Sequence, residues 1–253
     1  IRDSVMGINP PFEEEVLERK GSSVIMRDAS GVVAQRFLND VDESSIPHFI
    51  EFPVKTPEDW RRIKERYRVD DPLRGVSIES IENARRARGE GKSIRTGGTG
   101  FYGQLRNWMG MERLSYAFYD YPDMIHEMVE LWSELLAVQI ESLPEDIVID
   151  QVSWWEDMAG KNGPLVSPAV FREFLQPGYN RVMTAAKKRG SAISIVDCDG
   201  NPHNIVANWL EEGVNIMFPL EVSAGVDPYA WREEFGMELR LRGGIAKKPI
   251  VQG

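Results

Sequence analysis

Three apolar runs in this chain end in carboxylates: Trp154-Trp155 in Glu156-Asp157, Ile193-Ser194-Ile195-Val196 in Asp197-Cys198-Asp199, and Ile216-Met217-Phe218-Pro219-Leu220 in Glu221. Acids at the C-terminal ends of successive strands are what a barrel of alternating strands and helices gathers at one mouth, where carboxylates bind a metal or handle protons. Along an extended segment residues i and i+2 share a side, so Asp197 and Asp199 fall together and can share a hard cation or one proton. Cys198 then turns away and reads as a small buried hydrophobe rather than a nucleophile. The tryptophan pair offers an apolar wall that raises a neighbouring carboxyl's pKa, which is how a general acid is tuned. Gly97-Gly98-Thr99-Gly100 lets backbone approach a ligand closely, and is equally a simple turn from strand to helix. Each acid also has a plainer alternative. Asp199-Gly200-Asn201-Pro202 can be a turn with a helix N-cap, Glu156-Asp157 a solvated turn beside core tryptophans, and Glu221 half of an ion pair. His48, His126 and His203 are isolated and have no metal-ligand spacing.

The elements that must position these residues are readable from pattern. Pro10-Pro11 opens a short helix through Glu13 to Lys20, and two strands over residues 23–27 and 32–36 flank the turn Asp28-Ala29-Ser30-Gly31 as a hairpin. Thr56-Pro57-Glu58-Asp59 starts a helix running to about Tyr67, Asp70-Asp71-Pro72 breaks the chain, and a helix covers Ile78 to Arg88. From residue 92 strands and helices alternate. Ser93 to Thr96, Ile147 to Ile149, Ile193 to Val196, Ile216 to Phe218 and Leu239 to Leu241 read as strands. The longest helix spans Pro122 to about Leu143, with Ile125, Val129, Trp132, Leu136 and Ile140 on a core face. A helix from Ser167-Pro168 is interrupted near Pro177, and others cover Ile205 to Leu210 and Pro228 to Phe235. Repeated βα units imply parallel pairing with right-handed crossovers. No Gly-x-Gly-x-x-Gly follows a strand in the form a doubly wound sheet needs, which favours a barrel.

Composition narrows the class. The 253 residues, 42% hydrophobic and 28% charged, are ordinary globular usage, and a formal charge of −10 gives no footprint for nucleic acid or an anionic membrane. One cysteine excludes an internal disulfide and fits a reducing compartment. No apolar run is of membrane-spanning length and Ile1-Arg2-Asp3 is not a signal peptide, so a cytoplasmic protein is expected. The start at Ile1 and the stop at Gly253, where a helix should follow a strand, suggest a fragment.

Together the motifs Glu156-Asp157-Met158-Ala159-Gly160, Ser167-Pro168-x-x-Phe171-x-x-Phe174-x-x-Pro177, Asp197-x-Asp199-Gly200-Asn201, Gly213-Val214-Asn215 and Pro219-Leu220-Glu221, with Gly243-Gly244-Ile245, resemble the uroporphyrinogen decarboxylase superfamily over roughly residues 5 to 250. That superfamily contains the haem-pathway decarboxylase and corrinoid-dependent methyltransferases. The resemblance implies a single, distorted (β/α)8 TIM-type barrel over 1–253, incomplete at both ends, with an N-terminal hairpin and helical elaboration over 1–90 and barrel βα units over 91–253. Its active site would lie at the C-terminal mouth. Where decarboxylases carry Asp-Ser this chain has Glu156-Asp157, and an added carboxylate would repel a porphyrinogen bearing eight, at about 1 kcal/mol or more per close pair. Their N-terminal Arg-Gln-Ala-Gly-Arg motif is also absent. Where the methyltransferases carry a zinc-binding His-x-Cys, this chain has Asp197 and Asp199, exchanging soft donors for oxygen. The expectation is methyl transfer between a small methylated compound and a corrinoid carrier supplied by a partner protein. Asp197 and Asp199 would hold a divalent metal or orient substrate, Glu156 or Asp157 would manage the proton, and Gly97, Gly98, Trp155 and Glu221 would shape the substrate pocket. The alternatives are decarboxylation of uroporphyrinogen or a related tetrapyrrole acid, and a non-catalytic domain binding a ligand or corrinoid partner.

Overall fold

The computed structural model describes residues 7–38 and 46–252, so the reading of the first residues lies outside it. The N-terminal part is an antiparallel sheet of β1 (Glu15–Lys20), β2 (Ser23–Arg27), β3 (Val33–Phe37) and β4 (His48–Glu51), ordered as in the chain. β2 and β3 are the expected hairpin. Asp28 closes its turn by accepting the N–H groups of Ser30 at 2.9 Å and Val32 at 3.1 Å. β1 corrects the helix expected over Glu13 to Lys20: the segment pairs with β2 from Glu15↔Arg27 to Lys20↔Ser23, and Glu15 meets Arg27 at 3.0 Å. Ladder hydrogen bonds and cross-strand charge here outweigh helix-favouring Glu, Leu and Lys. Helices α1 (Pro57–Lys64) and α2 (Ile78–Gly89) follow as expected, α1 behind a Thr56–Asp59 capping box.

The second half builds a five-stranded sheet, all parallel, from β5 (Arg95–Thr99), β6 (Gln151–Trp155), β9 (Ile193–Asp197), β10 (Ile216–Phe218) and β11 (Arg240–Leu241). Two-residue strands β7 (Ala159–Gly160) and β8 (Gly163–Pro164) form a ribbon beyond β6. The helices are α3 (Phe101–Met109), α4 (Met111–Asp120), α5 (Pro122–Glu141), α6 (Pro168–Val170), α7 (Gln176–Lys188), α8 (Val206–Glu211), α9 (Pro228–Phe235) and α10 (Lys247–Gln252). Neighbouring strands in the sheet are also neighbours in the sequence of its strands, without reversal. The expected barrel is not closed among the described residues, since β5 and β11 are edges. No described helix is long and apolar enough to cross a membrane.

Three boundaries differ from expectation for local reasons. The strand expected at Ile147 to Ile149 begins instead at Gln151. Ile147 and Ile149 are buried, but their N–H groups bond the carbonyls of Pro144 and Arg189, which makes this segment an approach rather than a ladder. β5 runs through Gly97 and Gly98 instead of ending before them. The interruption near Pro177 is a π-helical turn over Phe171–Leu175, after which the helix continues as α7. The stripe Ile125, Val129, Trp132, Leu136 and Ile140 on α5 is buried in the core, as its spacing predicts.

Gly97 shows how tightly β5 meets β6. Its φ is +121°, and a Cβ there would lie 2.0 Å from the Ser153 carbonyl oxygen and 2.6 Å from the Ser153 nitrogen. Backbone strain and backbone collision both oppose any side chain, so Gly97→Ala should lower stability by about 3 kcal/mol or more, read as a shifted denaturation midpoint. A change under about 0.5 kcal/mol, the scale of a neutral surface substitution, would contradict this packing.

Candidate active site

Strand alternation divides the chemistry-bearing residues between two sides of the sheet. On one side Thr99, Trp155, Asp197 and Phe218 form a row across β5, β6, β9 and β10, with Arg242 just past β11. These five residues line an open cavity of about 410 Å3, with Ser153 and Ile195 in the row below. On the other side Val152, Trp154 and Glu156 go under the helices, as does Cys198. The parity expected for Asp197 and Cys198 therefore holds. Asp197 is half-buried in the cavity wall, Asp199 is exposed and Cys198 is buried. Burial and the charges of Asp157 and Asp199 raise the Asp197 pKa, partly offset by Arg242, and burial pushes the Cys198 thiol up, out of the reactive range.

Glu156, expected at the mouth, is fully buried. Its Oε1 accepts the N–H of Phe101 at 2.8 Å and the hydroxyl of Tyr179, and its Oε2 accepts the N–H of Gly103 at 2.7 Å. The carboxylate thus caps the first turn of α3, where a negative group is favoured by the helix dipole. Phe101, Trp154, Phe171 and Tyr179 pack around it, with Phe101 and Tyr179 edge-on at 4.8 Å. Burial lifts the Glu156 pKa to about 7 against these three donors. Its position follows from the period of β6, since Trp155 faces the cavity and the next residue must face away. That alternation, extended one step past the tryptophan pair, was the available signal.

Asp157 comes next at φ +44°, and Leu220 sits at φ +56° in the corresponding place after β10; these are the positive-φ non-glycine residues among those described. Such backbone is costly and gathers where surrounding contacts impose it. Around Asp157 those contacts are specific. Arg106 of α3 donates to the Asp157 carbonyl at 2.8 Å, lies 3.9 Å from its carboxylate and stacks over the Trp155 ring at 4.6 Å. Asp157 Oδ1 accepts the Asp199 N–H at 3.3 Å, and Glu221 Oε2 accepts the Gly200 N–H at 2.9 Å. The strand-end acids therefore brace one another's loops. Sequence reasoning missed Arg106 and Tyr179, and weighed Arg242 only as an ion-pair partner for Glu221 rather than as part of the cavity; Arg106 and Tyr179 lie on helix faces whose contacts no local spacing reveals. Gly98 lines the cavity, whereas Gly97 meets β6 backbone. No group of three or more His, Cys, Asp or Glu residues able to hold a metal ion occurs among the described residues. Asp197 and Asp199 thus fit a metal only if other donors join them.

Comparison with known proteins agrees with this architecture. The model of the uroporphyrinogen decarboxylase (URO-D) family matches residues 39–251. A methyltransferase from Methanosarcina mazei has a similar fold, with a TM-score of 0.53 and 16% identity over 78% of this chain and 56% of that one. The chain spans little more than half the length of that structure. No curated protein matches significantly.

The buried carboxyl has a pH signature. Its folded pKa, about 7, lies above the ordinary 4.5, so the folded state favours the protonated form and the associated stability is full below about 4.5 and lost as pH rises through about 7. Glu156→Gln cannot titrate. The difference in unfolding free energy between the native chain and the variant should shrink by about 3 kcal/mol across that window, measured by denaturant titration at several pH values. Parallel profiles would mean that Glu156 ionises as it does in water.

Proposed function

The chain belongs to the uroporphyrinogen decarboxylase (URO-D) family, and within it we propose an enzyme that moves a methyl group between a small methylated compound and a corrinoid carrier. The open sheet is read as part of a distorted (β/α)8 wall, because strand order without reversal is barrel order and lacks the switch point of a doubly wound sheet. A single observation carries the reading. Asp197 stands in the cavity wall between Trp155 and Phe218 in an environment that strengthens its hold on a proton.

Cleaving a methyl group from a heteroatom leaves that atom with an electron pair. In this reading the carbon–heteroatom bond breaks, the methyl passes to the carrier as co-substrate, and the heteroatom takes the proton of Asp197. In the reverse direction Asp197 accepts it. Burial and the charges of Asp157 and Asp199 raise its hold on that proton above the ordinary carboxyl's, and Arg242 limits the effect. Trp155 and Phe218 offer the substrate an apolar wall, Gly98 gives it backbone clearance, and Glu221 holds the Gly200 loop. Glu156 is assigned to positioning α3. Asp197 and Asp199 would offer oxygen donors to a divalent metal, the remaining donors coming from substrate or from outside the described residues, and no step here runs through it.

Decarboxylation is the second reading, favoured by Arg95 and Arg242 in the same cavity, which suit an acidic substrate. There the carbon–carbon bond would break, releasing carbon dioxide, and the carbon would take the Asp197 proton. The test is methyl transfer from small methylated compounds to a corrinoid acceptor, run beside carbon dioxide release from uroporphyrinogen. The expected outcome is methyl transfer that Asp197→Asn reduces about 100-fold or more with an unchanged melting temperature. Carbon dioxide release with the same sensitivity would replace methyl transfer by decarboxylation. Binding of substrate without either reaction would favour the non-catalytic domain.

A further inference from the structure

A second cavity, of about 420 Å3, lies between the N-terminal sheet and α1 and shares no lining residue with the strand-end cavity. On a chain of formal charge −10 its lining is unexpectedly basic. Arg27, Lys55, Arg62 and Arg66 line it beside Glu51 and Asp59, and with Arg27 paired to Glu15 at 3.0 Å the excess is one positive charge, that of Arg66. Both acids are already engaged. Glu51 pairs with Lys55, and Asp59 pairs with Arg62 while accepting the N–H groups of Lys55 and Thr56, each at 3.1 Å, at the start of α1.

Arg66 is different from the other three. It forms no ion pair among the described residues, and its guanidinium is fixed by backbone and an aromatic ring. Nη1 donates to the carbonyls of Pro10 at 2.6 Å and Pro11 at 3.3 Å, and the group lies over the Phe12 ring at 4.3 Å. Phe12 is itself seated on Gly31, where a Cβ would come within 2.6 Å of the ring. The Nε and Nη2 edge makes no hydrogen bond among the described residues, and that edge is the fork that binds an oxyanion through two parallel bonds. Holding the fork in place beforehand removes much of the ordering cost of binding. Phe12, Phe52, Val33 and Ile63 supply an apolar wall, and the volume is that of a small-molecule site.

The geometry points to a binding site for a small phosphate monoester, its dianion received by the Arg66 fork with Lys55 and Arg62, and its apolar body against Phe12 and Phe52. A phosphate dianion, whose second ionisation lies at about 6, offers one oxygen pair to the unpaired Arg66 and a further oxygen to Lys55 and Arg62, which would share it with Glu51 and Asp59. The site is separate from the strand-end cavity and does not depend on the reaction assigned to it.

The test is calorimetric titration of the whole chain near neutral pH with phenyl phosphate, and with inorganic phosphate and phenol as its two halves. Phenyl phosphate should bind at one site per chain, more tightly than inorganic phosphate, with no saturable binding of phenol. Its affinity should fall with added salt and drop about tenfold or more in Arg66→Met, as expected for loss of a charged bidentate contact. Lys55→Met should weaken it several-fold, and as the Lys55 side chain is partly exposed, outside the core, this variant decides the matter if Arg66→Met fails to fold. No saturable binding of phenyl phosphate, equal affinity for inorganic phosphate, or binding unmoved by the variants that fold would each overturn the proposal.

Discussion

The structure turns on one buried carboxylate. Glu156 follows directly on β6, caps α3 and receives the hydroxyl of Tyr179 from α7, so a strand end and two helices meet at a single acid. The neighbouring backbone is shaped to admit it. A Cβ at Gly100 would lie 2.2 Å from Glu156 Oε1, and one at Gly103 would lie 2.6 Å from the Trp155 carbonyl oxygen. Aromatic rings close the space around it, which raises its proton affinity and strengthens each hydrogen bond it accepts. An unpaired carboxylate there would be untenable; with three donors it becomes the joint that sets where α3, and therefore Arg106, stands relative to the sheet.

From that joint the opposite side of the sheet is organised. Past the strands the parallel register continues in single bonds: Gly100 N–H to Trp155 carbonyl, Glu156 N–H to Asp197 carbonyl, Cys198 N–H to Phe218 carbonyl. Each bond fixes the height of the next strand end. Trp155, Asp197 and Phe218 are thereby held level, and the left-handed backbone at Asp157 and Leu220 turns the following loops across the mouth. The acids beyond the strands mostly accept loop N–H groups, so they act as braces. Asp197 is the one whose carboxyl lies in the cavity wall with its proton affinity raised.

Much of this was legible in the sequence because period carries it. Alternating strands and helices, the α5 stripe, the hairpin turn at Asp28 and the opposite facing of Asp197 and Cys198 all depend on local spacing. What was not legible depends on distant partners. β1 looked helical because its residues favour helix, and only pairing with β2 makes it a strand. Glu156 looked catalytic because an acid after two tryptophans suits an acid–base role, yet its partners lie on α3 and α7, 53 and 23 positions away for Gly103 and Tyr179. Arg106 and Arg66 depend likewise on contacts between elements.

The strict two-sided period of β6 also constrains how this region can change in length. Inserting one residue between Gln151 and Glu156 would bring Trp155 to the capping position, and deleting one would bring Glu156 into the cavity row. Such a frameshift of facing would remove joint and pocket together. Variation in this segment should therefore proceed by substitution or by paired insertions.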